Sequence, residues 1–133
     1  MSINLSLTCL QYTATKQESI TLKAIKPLMN QALDVGSDFI ALPECATSLQ
    51  NKPEITKKLA TIESENISLQ TFMETAKENK VHILIGSLPI KIGHKIANRS
   101  FLIGPNGNIL YKYDKIHLFD VKLPNGEMFK ESN

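Results

Sequence analysis

Phe39-Ile-Ala-Leu-Pro-Glu-Cys-Ala-Thr-Ser48 is an apolar run that stops at a proline and is followed at once by a carboxylate and a thiol. Its composition predicts a short buried strand over Asp38 to Pro43, ended by a residue that cannot donate to a ladder. In open α/β sheets, sites gather at the carboxyl ends of strands. Glu44 therefore stands where an acid at the rim of an apolar strand would be partly desolvated and suited to work as a general base. Position alone favours a plainer role, a loop acid capping a nearby helix. Cys45 raises a separate question, whether the adjacent thiol is that acid's chemical partner.

Working outward, Ile3, Leu5, Leu7 and Cys9 alternate with polar residues, a period of two that predicts a first strand. Ile20, Ala24, Leu28, Ala32 and Val35 recur at helical spacing, predicting a helix over Ser19 to Val35 with Gly36 as its C-terminal cap. Pro27 inside that helix is expected to kink or split it. The polar stretch from Ala46 to Glu65 has room for a short helix over Glu54 to Ile62. Leu69, Phe72, Met73 and Ala76 mark one face of a helix over Ser68 to Asn79. Val81 to Ile90 reads as a strand ended by Pro89 and the Gly93 region. Ser100 to Ile103, the turn Gly104-Pro-Asn-Gly107 and Ile109 to Tyr113 form a hairpin. From Lys115 onward a strand end runs into loop. The order β-α-β-α-β plus hairpin defines an α/β sheet covered by helices.

A chain of 133 residues is one domain at most, long enough to bury a core. Acids and bases are interspersed and the net charge is only +2. The basic group Lys91, His94, Lys95 and Arg99 has no interleaved aromatics, so it reads as a solvated loop rather than a nucleic-acid surface. No apolar run reaches membrane-spanning length, and the N-terminus reads as a strand rather than a signal peptide. Two cysteines without a disulfide framework fit a reducing, cytoplasmic setting. The N-x-S matches at Asn4, Asn66 and Asn98 then carry no weight as glycosylation sites. His82, His94 and His117 lack metal-ligand spacing. His82 is expected on a strand and His94 in a loop.

A second pole lies in Tyr111-Lys-Tyr-Asp-Lys-Ile-His-Leu-Phe-Asp120. Lys115 ends a hairpin strand, where a fixed ammonium can hold an oxyanion. A surface lysine is the default alternative.

Leu42-Pro43-Glu44, followed some seventy residues later by Lys115-Ile-His-Leu-Phe-Asp120, resembles the nitrilase superfamily of carbon–nitrogen hydrolases. Gly36, Ile85-Gly86-Ser87, Asn98 and the Gly104–Gly107 turn extend the likeness over nearly the whole chain. The His-Leu-Phe-Asp form, with Glu131-Ser-Asn133, is closer to the amidase branch, which holds omega-amidase-like and deaminated-glutathione-amidase-like proteins, than to true nitrilases. The resemblance implies that residues 1–133 are the N-terminal portion of a hydrolase domain, the first half of a four-layer α-β-β-α sandwich, incomplete. It implies a Glu-Lys-Cys triad with Glu44 as general base and Lys115 as oxyanion stabiliser. Glu131 matches the second, substrate-positioning glutamate, against the alternative of a frayed terminal acid. It further implies small, carboxylate-bearing amide substrates, no cofactor and no metal.

In the family the nucleophilic cysteine belongs to a later strand, so none is expected within this chain. Cys45 is set aside because successive side chains on an extended segment point to opposite faces, and Cys9 reads as a small core residue. The chain alone is accordingly expected to be inactive. Its partners would be a homodimer mate or a complementing C-terminal half. A non-catalytic remnant or split-gene half, acting only by association, is the alternative. Asp114 departs from the family, which often has arginine before the lysine. Its side chain is expected to face away from Lys115 and alter salt bridging rather than chemistry.

Overall fold

The computed structural model describes residues 4–131. Five strands, β1 (Leu7–Cys9), β2 (Phe39–Ala41), β3 (His82–Ile92), β4 (Lys95–Ile103) and β5 (Ile109–Asp114), form one sheet in sequence order. β1, β2 and β3 are parallel, while β4 and β5 join antiparallel. The direction of β5 therefore matches that of β2, and the carboxyl ends of both lie at the same edge of the sheet. Helices α1 (Glu18–Asp34) and α3 (Ile67–Asn79) make the crossovers, and α2 (Pro53–Leu59) lies between them in the chain. A small hairpin, β6 (Asp120–Lys122) and β7 (Met128–Lys130), stands apart as its own two-stranded sheet.

Both long helices pack on one face. Ile25, Met29, Leu69 and Phe72 share a buried cluster with Ile40, Ile83, Ile85, Phe101 and Ile103 of the strands. The register lines up Ile40, Ile83 and Ile103 in one row and Ile85 with Phe101 in the next. Because side chains alternate, the intervening rows face the other way: Leu7, Phe39 and His82, then Cys9, Ala41, Leu84, Leu102 and Tyr111. Nothing among the described residues covers the β1 and β5 margins of this second face, where Leu7 is 52 % and Tyr111 74 % exposed. The architecture is one helix layer on one sheet.

Several expectations are corrected. α1 runs unbroken through Pro27, because Pro27 sits on the exposed face, where the carbonyl deprived of its helical donor meets water. Its buried stripe is Thr21, Ile25, Met29 and Ala32. The predicted Ile20 and Val35 are exposed instead. Thr21 tolerates full burial because its hydroxyl accepts from the Thr15 N–H (2.9 Å) and donates to the Gln17 carbonyl (3.3 Å). Cys9 is exposed rather than core, since β1 turns Leu5, Leu7 and Cys9 to the uncovered face. Ile3 lies outside the described residues.

β3 continues past Pro89 to Ile92, because the nitrogen of residue 89 lies on the side away from β4, where the Lys91 N–H two residues on bonds the Thr61 carbonyl (2.9 Å), and no β3–β4 ladder donor is lost. Residues 95–99, expected as loop, are the first half of β4. The stretch after Lys115, expected as loop, instead forms the β6–β7 hairpin, closed by Gly126 with φ of 87°; the remaining elements fall close to expectation. Gly107, with φ of 76°, closes the β4–β5 turn. Asn66 caps α3 by accepting the Leu69 N–H at 2.8 Å. His82 begins β3 and stacks on Phe39 with centroids 6.1 Å apart, and His94 sits in the β3–β4 turn.

Candidate active site

Glu44 is presented by a tight turn at the end of β2. The Leu42 N–H bonds the Leu84 carbonyl (2.8 Å) and the Gly86 N–H bonds the Leu42 carbonyl (3.1 Å). The approach is so close that a Cβ on Gly86 would overlap the Pro43 carbonyl; glycine is required there. Beyond Pro43 the chain leaves the extended conformation. Cys45 has φ of 51°, its N–H donates to Ser87 Oγ at 2.8 Å, and the Ala46 N–H reaches the Ser87 carbonyl at 3.0 Å. The Tyr12 hydroxyl, its ionisation pushed up by burial, closes the turn on the Ala46 carbonyl at 2.7 Å.

Lys115 follows β5, its N–H bonded to the Asn98 carbonyl on β4 at 2.9 Å. Its Nζ lies 2.6 Å from Glu44 Oε1, a contact between residues 71 apart in sequence, and 3.3 Å from Glu131 Oε2. Glu131 is carried back by the β6–β7 hairpin, where its N–H bonds the Phe119 carbonyl (3.1 Å) and its Oε2 accepts the Phe119 N–H (2.6 Å). The Asn98 amide donates to Glu131 Oε1 at 2.6 Å and to Glu44 Oε1 at 3.1 Å. The three residues singled out in the sequence thus meet in one cluster.

The two carboxylates differ in kind. Burial would raise Glu131, but the Phe119 N–H, Asn98 and Lys115 outweigh it and hold the group below the usual carboxylate range. Glu44 is not the desolvated acid expected, because 55 % of its side chain is exposed. Its hydrogen bonds fall on Oε1, and among the described residues Oε2 accepts none. Lys115 is held above its ordinary value, chiefly by the bond to Glu44 and further by Glu131, against partial burial.

The cluster borders a cavity of about 580 Å3, within the size range of small-molecule sites. Leu49, Ile96, Phe119 and Phe129 supply apolar wall, with Ser48, Gln50 and Asn51 among the polar lining and Lys16 and Lys57 as further cations. Cys45 also lines this cavity. The geometric ground for excluding it fails, because the turn rotates it out of the extended alternation. Its thiol is nevertheless pushed up by burial and by the Glu44 and Glu131 charges, which outweigh Lys115 and Ser87, so it is poorly disposed to form thiolate. Cys9 is not among the described residues that line the cavity. No group of three metal-ligating side chains occurs among the described residues, and no helix among them is long and apolar enough to cross a membrane.

Sequence reasoning missed the site roles of Asn98 and the Phe119–Phe129 wall. Asn98 was visible only as an N-x-S match and a member of the resemblance. The hairpin that delivers Glu131 was signalled by Asn125-Gly126, a strong turn dipeptide. Asp114 does face away from Lys115. Its two oxygens accept Arg99 Nε (2.5 Å) and Nη2 (2.7 Å), while Arg99 Nη1 also pairs with Glu63.

The chain is thus an α/β sheet with helices on one face, with an acid–ammonium–acid cluster gathered beside the carboxyl ends of β2 and β5. The model of the carbon-nitrogen hydrolase family matches residues 6–133, and the chain belongs to that family. It is 33 % identical over 131 residues to omega-amidase NIT2 of Homo sapiens and 32 % identical to that of Mus musculus, covering 98 % of this chain in each case. The chain spans about half the length of these relatives, 46 % in both. Among solved structures, the Caenorhabditis elegans NitFhit protein superposes with a TM-score of 0.82 at 22 % identity, covering 95 % of this chain and 31 % of that one. An amidase from Nesterenkonia sp. AN1, as a glutamate-to-glutamine mutant carrying an acetamide moiety on its active-site cysteine, gives 0.71 at 18 %, covering 86 % and 44 %.

Proposed function

We propose that residues 1–133 are the N-terminal portion of an amidase-type carbon–nitrogen hydrolase domain, supplying the base and the oxyanion-stabilising ammonium for a thiol nucleophile that comes from outside these residues. The observation that carries this reading is the 2.6 Å contact between Lys115 Nζ and Glu44 Oε1 at the mouth of the cavity. Glu44 Oε2 takes the thiol proton, and the sulfur bonds the amide carbon. Lys115 holds the tetrahedral oxyanion. Glu44 then returns the proton to the departing nitrogen, and the C–N bond breaks to give ammonia and a thioester. Water gives one proton to Glu44 as it attacks, the C–S bond breaks, and the sulfur recovers that proton, releasing a carboxylic acid. Glu131, held anionic, positions Lys115 and substrate.

The Nesterenkonia amidase, with its adduct on cysteine, supports covalent catalysis. The omega-amidase relatives support an amide substrate, and Lys16 and Lys57 at the cavity wall support a small one bearing a carboxylate. Two free cysteines suit a reducing, cytoplasmic setting.

The exposed apolar margins of the second face favour association with a complementary half or a second copy over an independent life. A non-catalytic part acting only through that association is the second reading. Ammonia release from small amides by the purified chain tests the need for an outside thiol, and the two readings part when a cysteine-bearing C-terminal portion is added, which restores turnover only under the first. The expected result is no turnover. Turnover abolished by both Glu44→Gln and Cys45→Ser would overturn the proposal and make Cys45 the nucleophile.

A further inference from the structure

Asn98 touches every member of the cluster. Its amide nitrogen lies 3.1 Å from Glu44 Oε1 and 2.6 Å from Glu131 Oε1, and its main-chain carbonyl accepts the Lys115 N–H at 2.9 Å. A carboxamide nitrogen carries two hydrogens, one for each acid. Two carboxylates facing a single ammonium would otherwise be inclined to share a proton, as like charges in one site do. A neutral double donor removes that tendency without adding a charge. Aspartate in its place would add a third anion, serine would offer one hydrogen, and lysine would compete with Lys115.

We propose that Asn98 is a positioning residue that divides the labour of the two glutamates, pinning Glu131 as a fixed anion and holding Glu44 by one oxygen so that the other stays open to the cavity. The division deepens the reading of Glu44 as base and rests on it. Substituting Asn98 leaves its backbone carbonyl and the Lys115 anchor in place, so a purely structural role and a positioning role predict different behaviour.

Titration of the glutamate carboxyl carbons by NMR in the 133-residue chain reads this directly. The other ionisable groups at the cavity are Lys115, Cys45, Lys16 and Lys57. Thiols and amines ordinarily ionise far above carboxylates, so the acid range reports the two glutamates. In the native chain the Asn98 side-chain amide protons should shift as each glutamate titrates. In Asn98→Leu the Glu131 midpoint should rise by about one to two pH units, the loss of a hydrogen bond to a charged group, and the two glutamate curves should become coupled. Asn98→Asp, which keeps the shape and loses the donors, should raise it too and serves if the leucine variant does not fold. Asn98 amide protons that follow neither glutamate, or an unmoved Glu131 midpoint in either folded variant, would overturn the proposal. The result does not depend on hydrolysis, so it stands or falls separately from a failure to find amidase activity.

Discussion

Two ionic clusters sit back to back on the same pair of strands. On one side, Asn98 and Lys115 gather Glu44 and Glu131 at the cavity. On the other, their immediate neighbours Arg99 and Asp114 pair with each other, and Glu63 binds both Arg99 and Lys112. Strand alternation separates them. Arg99 and Asp114 are cross-strand partners, and their network belongs with the helix-covered face. There each acid has a cation directed at it, which suits a fastening of the Glu63 turn to the sheet. The cavity cluster instead keeps one carboxylate oxygen without a partner among the described residues. Similar charges thus give a closed clasp on one face and a cluster with one open carboxylate oxygen on the other, and Glu44 Oε2 makes the difference.

The comparison breaks most sharply at the cavity. In a hydrolase completed with its cysteine-bearing portion, Glu44→Gln should lower kcat by about a hundred- to ten-thousandfold, the range for loss of a general base, measured as ammonia release. A next effect separates the covered from the uncovered face. Phe72→Ala, in the helix-covered core, should cost about 3–5 kcal/mol, whereas Leu7→Ala on the open face should stay within about 0.5 kcal/mol. Denaturant unfolding of the two variants side by side checks this, and equal losses would mean that the open face is covered in solution.

A smaller effect is expected in the clasp. Arg99→Gln should destabilise by about 1–2 kcal/mol, between exposed and buried ion pairs. Arg99 holds Asp114 below its ordinary range, and Glu63 is held low against partial burial by Lys112 and Arg99. Depressed carboxylates stabilise the fold above the unfolded range near pH 4, and that contribution is lost as pH falls through their folded values. The gap between native and Arg99→Gln stability should therefore be full at neutral pH and close in acid. A gap that widens in acid would contradict the network. Smallest of all, Cys45→Ser should leave completed-enzyme turnover within about twofold, since the proposed chemistry gives Cys45 no step.

Much of this was legible before any coordinates. Leu42-Pro43-Glu44 and Lys115 announced themselves because strand-end position and motif coincide, and the α/β order followed from hydrophobic period. The face of α1 was misread because Thr21 is buried, and only its bonds to Thr15 and Gln17 make that tolerable. Cys9 was misread because alternation reveals two faces of a strand but not which one the helices take. Cys45 escaped the alternation rule through a positive φ that adjacent residue types do not disclose. Asn98 could not be found by chemistry at all. Its amide matters only because β4 and the returning hairpin put two acids on it.

The central claim is tested most directly by joining this chain to a cysteine-bearing C-terminal portion of an omega-amidase relative and measuring ammonia release by the folded product. The account predicts turnover of a small carboxylate-bearing amide, lost in both Glu44→Gln and Lys115→Met. Full turnover surviving either substitution would contradict it.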